Sequence, residues 1–446
     1  TNIYYYIVQI TTDEQWCKDK LDYLNSIGWN QSKYSFEQIK DQAERFAQSN
    51  HAWFGWNKNY KAAKERALLE AESFKLKSLD FIRNDNIQEY LPREDTHAGF
   101  SYILTGKKEK GQYREELRQT YSAEVNKAKE EGSFNKLILP GTRTQASSPF
   151  KDDGSYNNEF KDKSRLVSMV DIYQIMAEVV TSKRLQTKFS TIPWYAGGKN
   201  DVAISYYMRL WKSDFKFWLS IDYSKFDQSI SDWLIRDAFD VVRAAYKYDT
   251  HFDEELFKIV REDFINKVTC LGPNHLYQSN KGVPSGSMFT QMIDSIVNKM
   301  MIDTYMLSKG VTNYQMMIMG DDNIIFTNVE INKEDLATYL RKNFGIEMNP
   351  LKCGSGNCRY DDPEFLSRVW RFDGVYRLPE LLFAKLIFPE RFRDYKRNPD
   401  LHPSMIVQCY KESFPLGMTF ITSKHRREVI DYKDKIGDGR WLTGLM

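Results

Sequence analysis

The 446 residues contain little that would mark an extracellular, fibrous or membrane-embedded protein. The five cysteines, Cys17, Cys270, Cys353, Cys358 and Cys409, form no Cys-x-x-Cys pair. Their odd number and wide spacing point to a reduced, intracellular setting. Cys353 and Cys358 lie close together, but no histidine stands at zinc-site spacing, so both read as structural. Only 23 Gly and 13 Pro are present, which excludes collagen-like and long disordered tracts. No apolar run approaches the roughly 20 residues that a membrane span needs. The longest, Leu381 to Phe388, is interrupted by Lys385. The start, Thr1-Asn2-Ile3-Tyr4, has no basic stretch leading into an apolar one, so no signal peptide is expected. Net charge is scarce as well. Lys and Arg number 63 against 61 Asp and Glu, leaving +2, too little for a protein that simply coats a polyanion.

What is present fits a globular chain of two to four substructures, with 41% hydrophobic and 28% charged residues. Aromatics reach 14%, enough both to fill a core and to stack bases. No internal repeat or low-complexity linker interrupts the chain. Residues 35 to 90 have helical texture, with Trp53, Phe54 and Trp56 expected as core anchors. From about 136 to 171 the chain reads as turn-rich and irregular, through Leu139-Pro140-Gly141-Thr142-Arg143 and on to a basic cluster from Lys161 to Val167. Phe217 to Asp222 reads as a buried strand ending in a carboxylate. Met288 to Ser308 reads as a long helix closed by Gly310. Tyr314 to Met319 and Ile324 to Thr327 flank a short turn, a hairpin signal. Asn332, with Asp335 three residues on, caps a helix running to Asn343 and stopped by Gly345. Phe365 to Arg371 and Val375 to Leu378 flank Asp373-Gly374, a second hairpin. Beyond 379 the texture is helical and locally basic. The order strand, helix, hairpin, helix, strands is α+β with an antiparallel sheet packed on helices.

Three elements carry chemistry. In Gly320-Asp321-Asp322, two adjacent carboxylates repel one another at a hairpin tip, and divalent cations would reverse that penalty. In Asp222-Tyr223-Ser224-Lys225-Phe226-Asp227, one carboxylate ends a strand and a second follows five residues later. In Gly282-Val283-Pro284-Ser285-Gly286-Ser287, small residues open a helix and let backbone approach a ligand, where helix N-termini favour phosphate. Within that helix Thr290, Asp294 and Asn298 recur every four residues, while Phe289, Ile293, Ile296, Val297 and Met300 cover the adjoining face. The polar stripe is therefore expected to line a cavity.

Each element alone is weak, but their order is specific. Asp-x4-Asp, then Ser-Gly-x3-Thr-x3-Asp, then Gly-Asp-Asp resembles palm motifs A, B and C of viral RNA-dependent RNA polymerases. The phrase from Gly282 to Asn298 resembles the polymerases of small double-stranded RNA viruses, the picobirnaviruses and, as near relatives, the partitiviruses. Asp222 to Ile230 favours the picobirnavirus side. Lys163-Ser164-Arg165 resembles motif F, Lys352 stands where motif D carries a proton donor, and Phe365-Leu366-Ser367-Arg368 resembles motif E. Lys342, within the capped helix, reads as surface. One position departs from a common pattern, in that Asp294 replaces the usual Asn of motif B.

The resemblance implies a right hand of fingers, palm and thumb. Residues 1–40 would be an N-terminal extension, 41–215 and 241–283 fingers, 216–240 and 284–378 palm, and 379–446 thumb. It implies template-directed nucleotidyl transfer from NTPs with two Mg²⁺ ions, Mn²⁺ being a substitute. Asp222, Asp321 and Asp322 would hold metal, with Lys352 as proton donor. Lys163, Arg165, Asp227, Ser285, Gly286, Thr290, Asp294 and Asn298 would bind the NTP. Template and product RNA are the implied partners, with a viral capsid protein as a further one and no membrane. The implied location is the virion interior or host cytoplasm. A reverse transcriptase, whose hairpin usually carries another residue where Gly320 stands here, and a non-catalytic RNA-binding core component are the alternatives.

Overall fold

The computed structural model describes residues 30–31, 34–77, 90–92, 94, 96–105, 109–144, 146–147, 164–248, 252–372 and 374–376, with scattered positions between 15 and 26. The strands are β1 (Asn30–Gln31), β2 (Leu137–Thr144), β3 (Ala146–Ser147), β4 (Ser164–Met169), β5 (Phe217–Ile221), β6 (Tyr223–Ser224), β7 (Lys267–Gly272), β8 (His275–Ser279), β9 (Tyr314–Met319), β10 (Asp322–Thr327), β11 (Glu347–Met348), β12 (Ser355–Asn357), β13 (Glu364–Phe365), β14 (Arg368–Arg371) and β15 (Gly374–Tyr376). The main helices are α1 (Phe36–Phe46), α2 (Lys58–Glu72), α3 (Arg114–Glu131), α4 (Ile172–Phe189), α5 (Asp201–Asp214), α6 (Phe226–Ser229), α7 (Asp232–Ala244), α8 (Glu254–Ile265), α9 (Thr290–Ser308) and α10 (Lys333–Phe344). The class is α+β.

Contacts divide the chain into two units. The larger comprises Phe36–Thr142 and Leu166–Pro363. Its central sheet runs β12-β5-β10-β9, antiparallel throughout. After Asp322, all five remaining residues of β10 are buried, with α9 packed against β9 and Trp211 of α5 against Phe326. Helix α9 packs against α2 and α7. It is apolar on most of its circumference, and a helix of that kind belongs inside. A second sheet runs β4-β2-β7-β8.

The smaller unit comprises Thr1–Ser35, Arg143–Arg165 and Glu364–Met446. Within it β1 pairs with β3, and β13-β14-β15 form a meander. Leu366 and Ser367, the two residues between β13 and β14, both take a φ of +56°. That left-handed turn costs roughly 1–2 kcal/mol per non-glycine residue. Trp370 Nε1 donates to Phe365 O at 2.9 Å and helps to hold it.

The structure corrects four local expectations. Trp53 and Trp56 are about 60% exposed, and only Phe54 enters the core. Asn57 caps α2 through bonds from the Asn59 and Tyr60 amides, and the short loop before it can direct only one of the three rings inward. The helical stretch from 35 is accordingly two helices with a break at 47–57, and residues 78–89 lie outside the described residues. The segment expected to be irregular contains β2, β3 and β4. Leu137 pairs in parallel with Val268, so a partner far along the chain overrides the local Pro140-Gly141 signal. The run Phe365 to Arg371 is two short strands rather than one. The expected thumb, 379–446, lies outside the described residues. Among the described residues, no helix is long and apolar enough to cross a membrane.

Candidate active site

The β9–β10 hairpin and β5 bring Asp222, Asp321 and Asp322, the three carboxylates expected to hold metal, to one strand end. Met319 pairs with Asp322, which leaves a two-residue turn of Gly320 and Asp321. Gly320 has φ +67°, a left-handed value that glycine adopts without a Cβ clash. On the other side of β10, Asn323 pairs with Ile221. Asp222 is the next residue after Ile221, so it stands at the strand end beside Asp321 and Asp322. All three side chains are exposed.

Helix α9 grips the turn from behind. Ser295 Oγ accepts from Gly320 N at 2.9 Å. Asn298 Nδ2 donates to Gly320 O at 3.0 Å and to Asp321 O at 3.4 Å. Asn298 Oδ1 accepts from Tyr223 Oη and from Asn323 Nδ2, each at 2.9 Å. Both donors and both acceptor sites of this buried amide are thereby occupied. Asn298 thus ties α9 to the turn. Asp222 is held through its backbone. Its N–H donates to Cys353 Sγ at 3.3 Å, and its carbonyl accepts from Asn349 N at 3.0 Å. Lys352 is exposed on that same 349–353 turn. Burial pushes the Cys353 thiol up to about 11, so it stays a neutral structural group. Cys270, Cys353 and Cys358 are free thiols, and Cys17 and Cys409 lie outside the described residues.

Asp294 sits one turn before Asn298 on α9 and is buried. Burial, with Asp227 and Asp321 nearby, pushes its carboxyl well above the ordinary carboxylate range. Its Oδ1 has no hydrogen-bond partner. A protonated Asp294 carries one donor and an acceptor, as the Asn it replaces would. Asp227 is partly buried in α6, and its carbonyl accepts from Val283 N at 2.7 Å. Thr290 is less available than its place on the stripe suggests. Its hydroxyl bonds to Pro284 O and Ser287 O at 2.6 and 2.9 Å.

The Gly282–Ser287 loop packs on β4. Ser285 Oγ accepts from Ser168 N at 3.0 Å. At Gly286 a Cβ would meet Ser168 O at 1.9 Å, so only glycine permits this approach. Arg165 is exposed on β4, and Lys163 lies outside the described residues. Lys342 is exposed on α10, as expected of a surface residue.

Local signals marked the carboxylates, but the side chains that aim them were missed. Ser295, Asn323, Cys353 and Tyr223 act across elements distant in sequence.

The donor set suits magnesium. It consists of carboxylate oxygens, hard donors, left exposed so that water and phosphate can complete the shell. Among the described residues, no three His, Cys, Asp or Glu side chains are already gathered into a metal cage. Mg²⁺ commonly binds through one or two carboxylates plus substrate phosphates, so an open set of this kind fits it.

A strand-end aspartate beside a Gly-Asp-Asp hairpin, backed by a buried polar helix stripe, defines a polymerase palm. The model of the viral RNA-dependent RNA polymerase family matches residues 25–380, and the chain belongs to that family. Crystal structures of the RNA-dependent RNA polymerase of a human picobirnavirus, and of its insertion-loop deletion mutant, each match with a TM-score of 0.67 at 15% identity. They cover 95% and 96% of this chain and 80% and 84% of theirs, respectively, and the fold is their right-hand polymerase fold. The chain is 32% identical over 158 residues to the RNA-directed RNA polymerase of Cryptosporidium parvum virus 1, covering 33% of this chain and 28% of that one. It is 27% identical over 293 residues to the genome polyprotein of human enterovirus 70, covering 63% of this chain and 12% of the polyprotein. The chain thus spans only a minor part of the curated relatives it matches.

Proposed function

We propose that this chain synthesises RNA on an RNA template, replicating and transcribing a viral double-stranded RNA genome. The observation that carries this reading is the register that sets Asp222 beside the turn bearing Asp321 and Asp322. Asp222 and Asp321 hold the metal site, with Asp322 assisting. When bound there, a pair of Mg²⁺ ions supplies charge neutralisation for the attacking 3′-oxygen and the departing pyrophosphate. Lys163 and Arg165 grip the triphosphate. Ser285 and Gly286 present the loop to the nucleotide, and Lys352 protonates the leaving group. Residues 41–215 and 241–283 act as fingers, 216–240 and 284–378 as palm, and 379–446 as thumb. Synthesis takes place in the virion interior or host cytoplasm, with capsid protein as a further partner.

The test uses purified protein, a single-stranded RNA template, Mg²⁺ and either four NTPs or four dNTPs. Labelled RNA of template length with NTPs alone supports the reading. DNA product would instead favour a reverse transcriptase, and RNA binding without any product would favour a non-catalytic core component.

Two substitutions probe the nucleotide site. Arg165→Ala is expected to raise KM for NTP by roughly ten- to a hundredfold, the loss of one charge-assisted phosphate contact of about 1.5–3 kcal/mol. Steady-state kinetics at constant RNA occupancy check it, and unchanged values would make Arg165 an ordinary surface cation.

Asp227→Ala and Asp294→Ala are expected to shrink the preference for ATP over dATP. A site that pairs with a hydroxyl leaves its own polar groups unpaired when the hydroxyl is missing. Asp294 offers an Oδ1 without a partner, and Asp227 lies near it. The ratio of kcat/KM for the two nucleotides decides. If both variants keep the parental ratio, sugar reading lies elsewhere.

A further inference from the structure

We propose that Glu178 and Lys267 are positioning residues for nucleotide binding by the Gly282–Met288 loop, which they hold at its two ends. The proposal rests on the reading of that loop as part of the nucleotide site. Neither residue contacts the carboxylate cluster, and neither was marked by any sequence motif.

At the C-terminal end of the loop, Glu178 of α4 is fully buried. Its Oε2 accepts from Ser287 Oγ and from Met288 N, each at 2.8 Å. Its Oε1 accepts from Gln174 Nε2 at 3.1 Å. Ser287 Oγ in turn accepts from Phe289 N at 3.0 Å. The Met288 and Phe289 amides lie immediately before the first residue of α9, and the pair gives each an acceptor. A carboxylate there also complements the helix dipole. A second α4 side chain reinforces the hold, because Gln186 Nε2 donates to Met288 O at 2.9 Å.

At the other end, Lys267 of β7 is 2% exposed. Its Nζ donates to Gly282 O at 2.7 Å and to Lys281 O at 3.2 Å. It also reaches Phe264 O at 3.1 Å, which ties the loop to the end of α8. Between these two points, Ser285 and Gly286 rest on Ser168. The loop is thus fixed at both ends and at its centre.

Both groups are buried at an energetic penalty. Burial pushes Glu178 up to about 7, opposed in part by the bonds from Met288, Ser287 and Gln174 and by Lys110, and pushes Lys267 down to about 7. Apolar residues of similar volume would fill either position without that penalty. What such residues could not supply are the bonds that set the loop backbone.

The test combines hydrogen exchange of peptides spanning 281–289 with steady-state kinetics on the full chain. Glu178→Ala should speed exchange in 286–289 and raise KM for NTP, each about tenfold, with kcat within a few-fold of the parent. Glu178→Gln should restore both, since its carbonyl oxygen can serve Ser287 and Met288 while its amide donates to Gln174 Oε1 once the Gln174 amide flips. Lys267→Met should speed exchange at 281–284. Should Glu178→Ala not fold, Ser287→Ala removes one of the same bonds and should raise KM in the same direction. Parental loop exchange, faster exchange spread evenly over the chain, or a Gln variant as impaired as the Ala variant would overturn the proposal. If the parent makes no RNA, the reading of the nucleotide site fails, while loop exchange still decides whether the two side chains hold it.

Discussion

Asp321→Asn is expected to abolish RNA synthesis while leaving the fold intact. The side chain is exposed at the tip of a two-residue turn, so its removal leaves no cavity and no buried orphan. A surface change of that kind moves stability by about 0.5 kcal/mol or less. Losing one ligand charge from a two-metal centre removes several kcal/mol of transition-state stabilisation, a rate loss of about a thousandfold or more. The chemical effect therefore far exceeds the structural one. Thermal unfolding and single-nucleotide incorporation on the same preparation separate the two. A variant that folds and extends RNA within a few-fold of the parent would remove Asp321 from the metal site. Mn²⁺ should partly rescue weaker variants, since it accepts similar oxygen ligands.

Asn298→Asp is expected to damage both stability and synthesis. The substitution keeps shape but replaces two donors with an oxygen that faces Gly320 O and Asp321 O. Each buried polar group left unsatisfied costs about 1–3 kcal/mol, so a total near 3 kcal/mol is expected. The turn carrying Asp321 would lose its support at the same time, with synthesis falling about a hundredfold. Urea denaturation and kcat measured together check this. A variant with parental midpoint and parental kcat would show that α9 does not aim the turn. The contrast with Asp321→Asn is diagnostic, because only the Asn298 change should move both readings.

The three clustered carboxylates were legible because each lies on a locally patterned element. Asp222 ends an apolar run, and Asp321 and Asp322 interrupt another. Strand register was not legible in this way, because β10 is buried throughout after Asp322 and has no alternating polar face to fix it. The supporting contacts were not legible for a physical reason. Cys353 reaches the Asp222 amide from 131 residues away, and Glu178 reaches Met288 from 110 residues away. No local period encodes such pairs. Tertiary partners also overrode local signals at Pro140-Gly141, which lies within β2, and at Leu366-Ser367, which turns without the usual Asn-Gly. The aromatic cluster at 53–56 misled because spacing alone does not say which ring a capped loop turns inward. Asn298 shares the polar stripe with Asp294, and its bond to Gly320 O, 22 residues away, was not legible from that spacing.

Incorporation of a single labelled NTP opposite each of the four template bases, with and without a magnesium chelator, tests the central claim most directly. The account predicts that the incorporated nucleotide follows the complement of the template base and that chelation stops the reaction. Incorporation that ignores the template base, or that continues undiminished in chelator, would contradict it.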